Sequence, residues 1–536
     1  MSGMLYYRAS GVDLATPDDN EDVRLHATVE NGRHTVTVTA LTDVTLTAFR
    51  EENVAAVDPA GKVFLNGYQS WTDSREFYLS EKEKNVTRLP SFLLKSFALD
   101  RYGDATFYPY EKGKLHGYDL FYARGKKELF ILNDNVKVAW LAVEVERKSG
   151  RVSLLSMVDG IALRAGETLT VCDYYCTESI EEGFALYDAL YPKKPVEKLF
   201  GYTSWYNYYQ NVTEDILLRD LAALDDRFDL CQIDDGYETA VGDWLSVDAQ
   251  KFPHGLAPIV EKIHERGKKA GIWLAPFVAE KKSALFAEHP DWFKKGEDGE
   301  PVVCGCNWSG FYALDLENAD VLDYIKRCLT HYADMGFDFF KLDFLYAASL
   351  PRYEGISRSM AAERAYALIR ETLQGKLLLG CGATPFNSIG KFDYLRVGPD
   401  VSLTFDDVWY MRVMHRERIS TKTTLQNTVY RSLFDGRLFG NDPDVFLLRD
   451  DNIKLSPEQR RALITLNALF GSLLMTSDNV GAYDEQKRQT LTDALALYRE
   501  ATVTDFSRDG RYINIHYTRN GTSFTVFYDT EKGVLK

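Results

Sequence analysis

Acidic residues recur at one kind of place in this chain, directly after short apolar runs. "QIDDG" ends in Asp234 and Asp235, "FFKLDF" carries Lys341 and Asp343, "LRVGPD" carries Arg396 and Asp400, "GNDPD" carries Asp442 and Asp444, and "LLMTSD" ends in Asp478. Cys381 sits at the end of "LLLGCG", and Trp205 and Trp273 belong to two further runs, "LFGYTSW" and "KAGIWLAPF". One Asp after a strand is most often a helix cap or an Asx-turn residue, and a Trp there is as readily core packing. Acids at so many run ends exceed what capping explains. Paired carboxylates among aromatic residues suit a neutral, polyhydroxylated substrate. One carboxylic acid protonates a glycosidic oxygen while the other attacks the anomeric carbon or activates water.

Such a ring needs elements that gather distant run ends at one place. From residue 199, strand-like and helix-like segments alternate, with strands starting near 199, 230, 269, 337, 377, 394, 438 and 472. Between them lie amphipathic stretches with their own punctuation, including a Thr cap at 213, Pro258 near a helix start and glycines at 267 and 336. This is the pattern of an α/β (β/α)8 TIM barrel, whose strand C-termini form the active face. A doubly wound open sheet competes, but no Gly-rich phosphate loop follows the first strand. Residues 1–185 alternate apolar and polar, as in "RHTVTVTALTDVTLTAF", and predict an N-terminal β-sandwich. The barrel is expected over 186–498, and a small C-terminal β domain over 499–536. In "FFKLDF" the period of two puts Lys341 and Asp343 on one face, with Phe340, Leu342 and Phe344 expected to face the helices.

At the run ends the residues resemble the α-galactosidases (melibiases) of glycoside hydrolase family 36, in the form of its shorter bacterial members. The stretches that carry the likeness are "FLNGYQSW", "GYTSWYNYY", "QIDDGYE" with "GDW", "KAGIWLAPF", "FFKLDF", "LLGCGAT" and "LRVGPD". The resemblance implies that Asp343 is the nucleophile and Asp400 the general acid/base of a retaining double displacement. It implies that Asp234 and Asp235 grip the 4- and 6-hydroxyls of galactose. Lys341 and Arg396 would contact hydroxyls and carboxylates, Trp205 and Trp273 line the pocket, Cys381 lie near the 2-hydroxyl, and Trp71 reach the mouth from the sandwich. A cation on the same face would keep Asp343 ionised. The implied activity is hydrolysis of terminal α-linked galactose from oligosaccharides such as melibiose and raffinose. Alternatives on the same scaffold are an α-N-acetylgalactosaminidase, a transglycosylase and a catalytically silent galactoside-binding protein. A Schiff-base aldolase using Lys341 is disfavoured, because an adjacent Asp stabilises the charged amine.

Composition bounds the partners. Among 536 residues, 63 Lys and Arg face 79 Asp and Glu, a net charge of −16 that repels nucleic acid and anionic membrane. No apolar run reaches the ~18 residues of a membrane helix, and the first residues lack the pattern of a signal peptide. Seven cysteines, an odd and sparse number, argue for a reducing compartment, so a cytoplasmic protein is expected. "CDYYC" and "CGC" lack the histidine spacing of a zinc site, so neither metal nor cofactor is expected. The "CGCNW" loop is a candidate lid, and Asp442 is the better candidate of its pair for a supporting role. The expected partner is a small-molecule α-galactoside, with homo-oligomerisation left open.

Overall fold

The computed structural model describes residues 3–536. Its N-terminal part packs two antiparallel sheets face to face. One runs in the order Val12–Thr16, Gly3–Ala9, Val44–Ala56, Arg151–Ser156, Leu141–Glu146, Lys114–Tyr118. The other runs Val23–Glu30, Arg33–Ala40, Thr168–Thr177, Leu129–Asn133, Leu120–Arg124, Lys62–Leu65, Arg75–Tyr78. Period-two alternation decides which face is inside: in Arg33–Ala40, Val36, Val38 and Ala40 are buried while the threonines between them are not. The short strand Ala162–Leu163 pairs on the side of Val44–Ala56.

The second part is a closed parallel barrel. Its strands are Leu199–Thr203, Leu230–Ile233, Lys269–Leu274, Phe339–Leu342, Leu377–Gly380, Tyr394–Arg396, Gly440–Asp442 with Val445–Phe446, and Leu473–Thr476. The seventh strand closes the ring because it is broken at Pro443. Gly440–Asp442 pairs with the sixth strand, and Val445–Phe446 pairs with the eighth. The eighth in turn pairs with the first. These strands are nearly continuous apolar runs because helices cover their outer face and side chains fill the interior. The helix Ala319–Asp334 shows how the outer layer forms. Asn318 caps Asp320 N, and Val321, Tyr324, Ile325, Cys328, Leu329 and Tyr332 recur at helical spacing on the buried side. Pro457–Phe470 opens on a capping box between Ser456 and Gln459.

Two additions complete the chain. Val278–Glu280, Val303–Gly305 and Phe311–Ala313 form a small antiparallel sheet after the third barrel strand, and Ala501–Asp509, Tyr512–Arg519, Thr522–Asp529 and Val534–Leu535 form a terminal sheet. Among the described residues no helix is long and apolar enough to cross a membrane.

The sandwich is locked to the barrel by the loop that follows Lys62–Leu65. Arg431, fully buried, donates to Asn66 Oδ1 and to the carbonyls of Gly67, Gln69 and Ser70 from the loop, and to Val397 O from the barrel. Burial and the neighbouring Arg416 push its guanidinium down to about 9. Asn427 ties the same parts by accepting from Ser74 N and donating to Thr72 O and Val397 O. This anchoring delivers Trp71 to the barrel mouth.

Candidate active site

The strand ends bring the expected residues to one face, and their pairing differs from the expectation in one respect. Lys341 does not pair with Asp343. Its ammonium donates to Asp234 Oδ2 at 2.9 Å, across the barrel interior. Gln232 Nε2 at 2.6 Å and Thr203 Oγ1 at 3.1 Å donate to the same oxygen, and Asp235 N donates to Oδ1 at 3.0 Å. Burial opposes the charge on Lys341, but Asp234 outweighs it and holds the amine above its ordinary range. Asp343 instead accepts from Trp273 Nε1 at 3.0 Å and from Phe344 N at 2.8 Å. Period two fixed the face of Lys341; the neighbouring strands fixed its partner.

Phe344 is a second correction. The fourth strand ends at Leu342, and Phe344 adopts a left-handed backbone with φ 52°, which turns it away from the helices. Its ring meets Trp71 edge-on at 5.3 Å, Trp308 at 5.2 Å and Phe311 at 4.9 Å. Trp71 also packs on Tyr346 at 5.6 Å. Its Nε1, buried, has no protein acceptor.

Asp235 accepts from Trp308 Nε1 at 2.9 Å and Gln210 Nε2 at 3.1 Å. Burial pushes its carboxyl up, and hydrogen bonding with Glu238 pulls it down. Glu238, buried behind it, is pushed far up by burial and by Asp235, so that this acid holds the proton of the pair. Trp308 comes from the "CGCNW" loop, which therefore covers Asp235. Tyr102 of the sandwich holds that loop, accepting from Cys306 N at 2.9 Å and donating to Asn307 Oδ1 at 2.6 Å.

On the other side stands Arg396. Its Nη1 meets Asp400 at 2.9 Å, its Nε Asp442 at 2.7 Å and its Nη2 Asp444 at 3.0 Å. Burial pushes Asp400 up; Arg396 and Lys341 oppose this, and Asp343 adds to it. The Asp400 side chain is 34% exposed, so its carboxyl opens toward the pocket. Cys381 is buried, and both burial and Asp343 push its thiol up. Trp273 packs edge-on against Trp244 at 5.6 Å and tilts toward Trp308 at 6.1 Å. Trp205 lies one step outside this cluster: the first strand ends at Thr203, and Trp205 opens a short helical turn with its ring edge-on to Tyr209 at 5.1 Å.

Asp478 leaves the ring. Arg449 Nη1, the amides of Leu448 and Arg449, and Tyr483 Oη all donate to it, so it anchors a loop. Glu238 and Trp308 were not singled out from sequence; neither falls at a strand end, and the only signal was their nearness to "IDDG" and "CGC". Among the described residues no group of His, Cys, Asp and Glu is arranged to hold a metal ion.

A (β/α)8 barrel with carboxylates and two cations at its strand ends, and an aromatic mouth shared with a β-sandwich, is an arrangement suited to cleaving a glycosidic bond. Residues 212–372 match the family model described as Melibiase. An α-galactosidase of Escherichia coli is 30% identical over 150 residues, 26% of this chain and 20% of that protein. An A type blood α-D-galactosamine galactosaminidase of Flavonifractor plautii is 34% identical over 127 residues, 22% of this chain and 11% of that protein. The chain thus aligns with well under two thirds of the length of such curated relatives. The structure is similar to TtGalA, an α-galactosidase from Thermus thermophilus in complex with p-nitrophenyl α-D-galactopyranoside. The TM-score is 0.72 and the identity 28%, covering 93% of this chain and 98% of that one. The fold is shared with the family 36 α-galactosidase AgaA of Geobacillus stearothermophilus, at TM-score 0.63, 13% identity, and 94% and 72% coverage. Residues 212–372 thus carry the melibiase likeness, and most of the chain shares the fold of the Thermus α-galactosidase.

Proposed function

We propose that the protein is a retaining exo-α-galactosidase that releases terminal α-linked galactose from oligosaccharides such as melibiose and raffinose. The observation that carries this reading is the contrast between two carboxyls on one face. Asp343 is held purely as an acceptor by Trp273 Nε1 and Phe344 N. Asp400 is pushed toward its protonated form by burial and opens to the pocket. Asp343 attacks the anomeric carbon as Asp400 gives its proton to the departing oxygen, leaving a glycosyl ester on Asp343. Asp400, now ionised, takes a proton from water, which attacks the same carbon and releases Asp343 with net retention. Esterification of Asp343 removes a negative charge beside Asp400 and lowers its proton affinity, which suits the change from acid to base.

Asp234 and Asp235 are the acceptors for the 4- and 6-hydroxyls. Buried acceptors discriminate an axial from an equatorial hydroxyl because a mismatch leaves them unpaired. Lys341 has donors to spare for a hydroxyl, Cys381 borders the 2-position, Trp273 lines the pocket, and Trp71 packs at its mouth. The reaction uses only these side chains. The seven cysteines are all unpaired, which supports a reducing, cytoplasmic setting. Initial rates on a panel of aryl α- and β-glycosides test the reading: p-nitrophenyl α-galactoside is turned over with α-galactose as first product, and inactivity on it refutes the assignment.

A second reading is an α-N-acetylgalactosaminidase, or an enzyme for the 2-amino sugar after which the Flavonifractor relative is named. Its pocket must admit a 2-acetamido group beside Cys381, and the ratio of rates on the two aryl glycosides separates the readings.

A further inference from the structure

Asp444 lies in the break of the seventh strand, with a left-handed backbone at φ 71°. Its side chain is fully buried, and everything around it leads to Asp400. Oδ2 accepts from Val401 N, the amide directly after Asp400, at 2.7 Å, and from Tyr206 Oη at 2.5 Å. Oδ1 stands 3.0 Å from Arg396 Nη2 but is not aligned with an N–H, so this is a pairing of charges more than a hydrogen bond. Asp444 is itself pinned: its N donates to Asp442 Oδ1 at 2.9 Å, and Asn467 Nδ2 donates to its carbonyl at 3.0 Å. A strained backbone held by so many partners is a feature to explain.

We propose that Asp444 is the positioning residue of the general acid: it clamps the main chain that carries Asp400 and divides the charge of Arg396 between two carboxylates. This rests on the assignment of Asp400 as acid/base. The groups facing Asp400 and Asp444 are Arg396 on the sixth strand, Asp442 on the seventh, Lys341 and Asp343 on the fourth, Cys381 on the fifth, and Tyr206 and Tyr209 after the first. Within this set Asp444 keeps part of the guanidinium charge away from Asp400. With Asp444 neutral, Arg396 acts more fully on Asp400, which then ionises at lower pH and is less available as an acid. Burial lifts Asp444 itself to about 6, with Arg396 opposing and Asp400 and Asp442 adding to it, so the division of charge is at work above that pH.

The chemistry of the two oxygens makes Asp444→Asn selective. An amide oxygen at the Oδ2 position keeps the bonds from Val401 N and Tyr206, while an NH2 group replaces the oxygen that faced Arg396. The test uses the full-length protein and aryl α-galactosides of graded leaving-group acidity, beside methyl α-galactoside. Acid assistance matters most for the poorest leaving groups. D444N is expected to lose about 10–100-fold in kcat on methyl α-galactoside and only about 2-fold on a dinitrophenyl glycoside. KM should stay within about 3-fold, and the alkaline limb of the kcat profile should move to lower pH. N467S releases the Asp444 carbonyl without removing any group that faces Asp400, and it should enlarge the leaving-group dependence in the same sense by less, which keeps the question answerable if D444N does not fold. An unshifted limb, or equal losses on every leaving group, overturns the proposal. D400N is run in parallel: if it shows no leaving-group dependence, Asp400 is not the acid, and both the parent reading and this one fall. If D400N shows the dependence and D444N and N467S do not, only the role of Asp444 falls.

Discussion

Two buried cations stand at the barrel mouth, on strands separated by one other, and they are wired differently. Lys341 has one carboxylate partner, Asp234, at 2.9 Å. Arg396 has three, Asp400, Asp442 and Asp444, within 2.7–3.0 Å. An ammonium is a compact charge with three rotatable donors, whereas a guanidinium is a rigid fork. The protein uses each accordingly. The lysine spends one donor on the fold and leaves the others without a protein acceptor. The arginine is saturated by protein and sets the spacing of the carboxylates it joins. Charge alone therefore does not define a binding residue; the donors left over do.

Variants that break this contrast should separate chemistry, architecture and binding. The largest effect is expected at the carboxylate between the two cations. Asp343→Asn should lower kcat on p-nitrophenyl α-galactoside by at least ~10⁴-fold, as expected when an attacking group is lost, with an unchanged circular dichroism spectrum and melting temperature. Arg396→Met is expected to act on the fold, because it strands two buried carboxylates, Asp442 and Asp444; removal of one partner from a buried pair costs about 3–5 kcal/mol, read as a lower denaturation midpoint. Lys341→Met should do the opposite. Gln232 Nε2, Thr203 Oγ1 and Asp235 N still satisfy Asp234, so stability should fall by only about 1–2 kcal/mol while KM rises about 10–100-fold. A loss of stability in K341M matching that of R396M would dissolve the distinction.

The smallest effect concerns a buried carboxyl with no cation at all. In the sandwich, Asp119 accepts from Asn133 Nδ2 at 2.7 Å and Leu141 N at 3.0 Å, and burial pushes it up to about 6. The folded state thus holds this proton more tightly than the unfolded chain, whose Asp titrates near ~3.9. Its contribution is fully present below that value and is lost as pH rises through about 6. Asp119→Asn should flatten the melting temperature between pH 4 and pH 7 and stabilise the neutral protein by about 1–3 kcal/mol. An unchanged pH dependence in D119N would remove Asp119 from the account.

Much of this was legible before any coordinates. All eight barrel strands lie where apolar runs between turn signals place them, because strands buried on both faces must be apolar throughout. Their C-terminal acids gather on one face because the (β/α)8 topology leaves them no other place. What local pattern missed is equally specific. The run "FDFFKLDF" promised a strand to Phe344, but the left-handed turn at that residue sends its ring to Trp71 and Trp308. Asp478 has the same sequence context as Asp234, yet Arg449 and Tyr483 consume it. Asp442 does meet Arg396, but nothing local told that Asp444 touches the amide that follows Asp400.

By itself, then, the sequence determined the strands, their inward faces and the set of chemical groups at the mouth, since periodicity and residue type are local properties. Only the tertiary structure decided who pairs with whom: Lys341 with Asp234, Arg396 with three acids, Trp308 with Asp235. Those pairings depend on angstrom distances between strands and loops far apart in the chain, and hydrogen bonds and buried charges are sensitive to distances that no local pattern encodes.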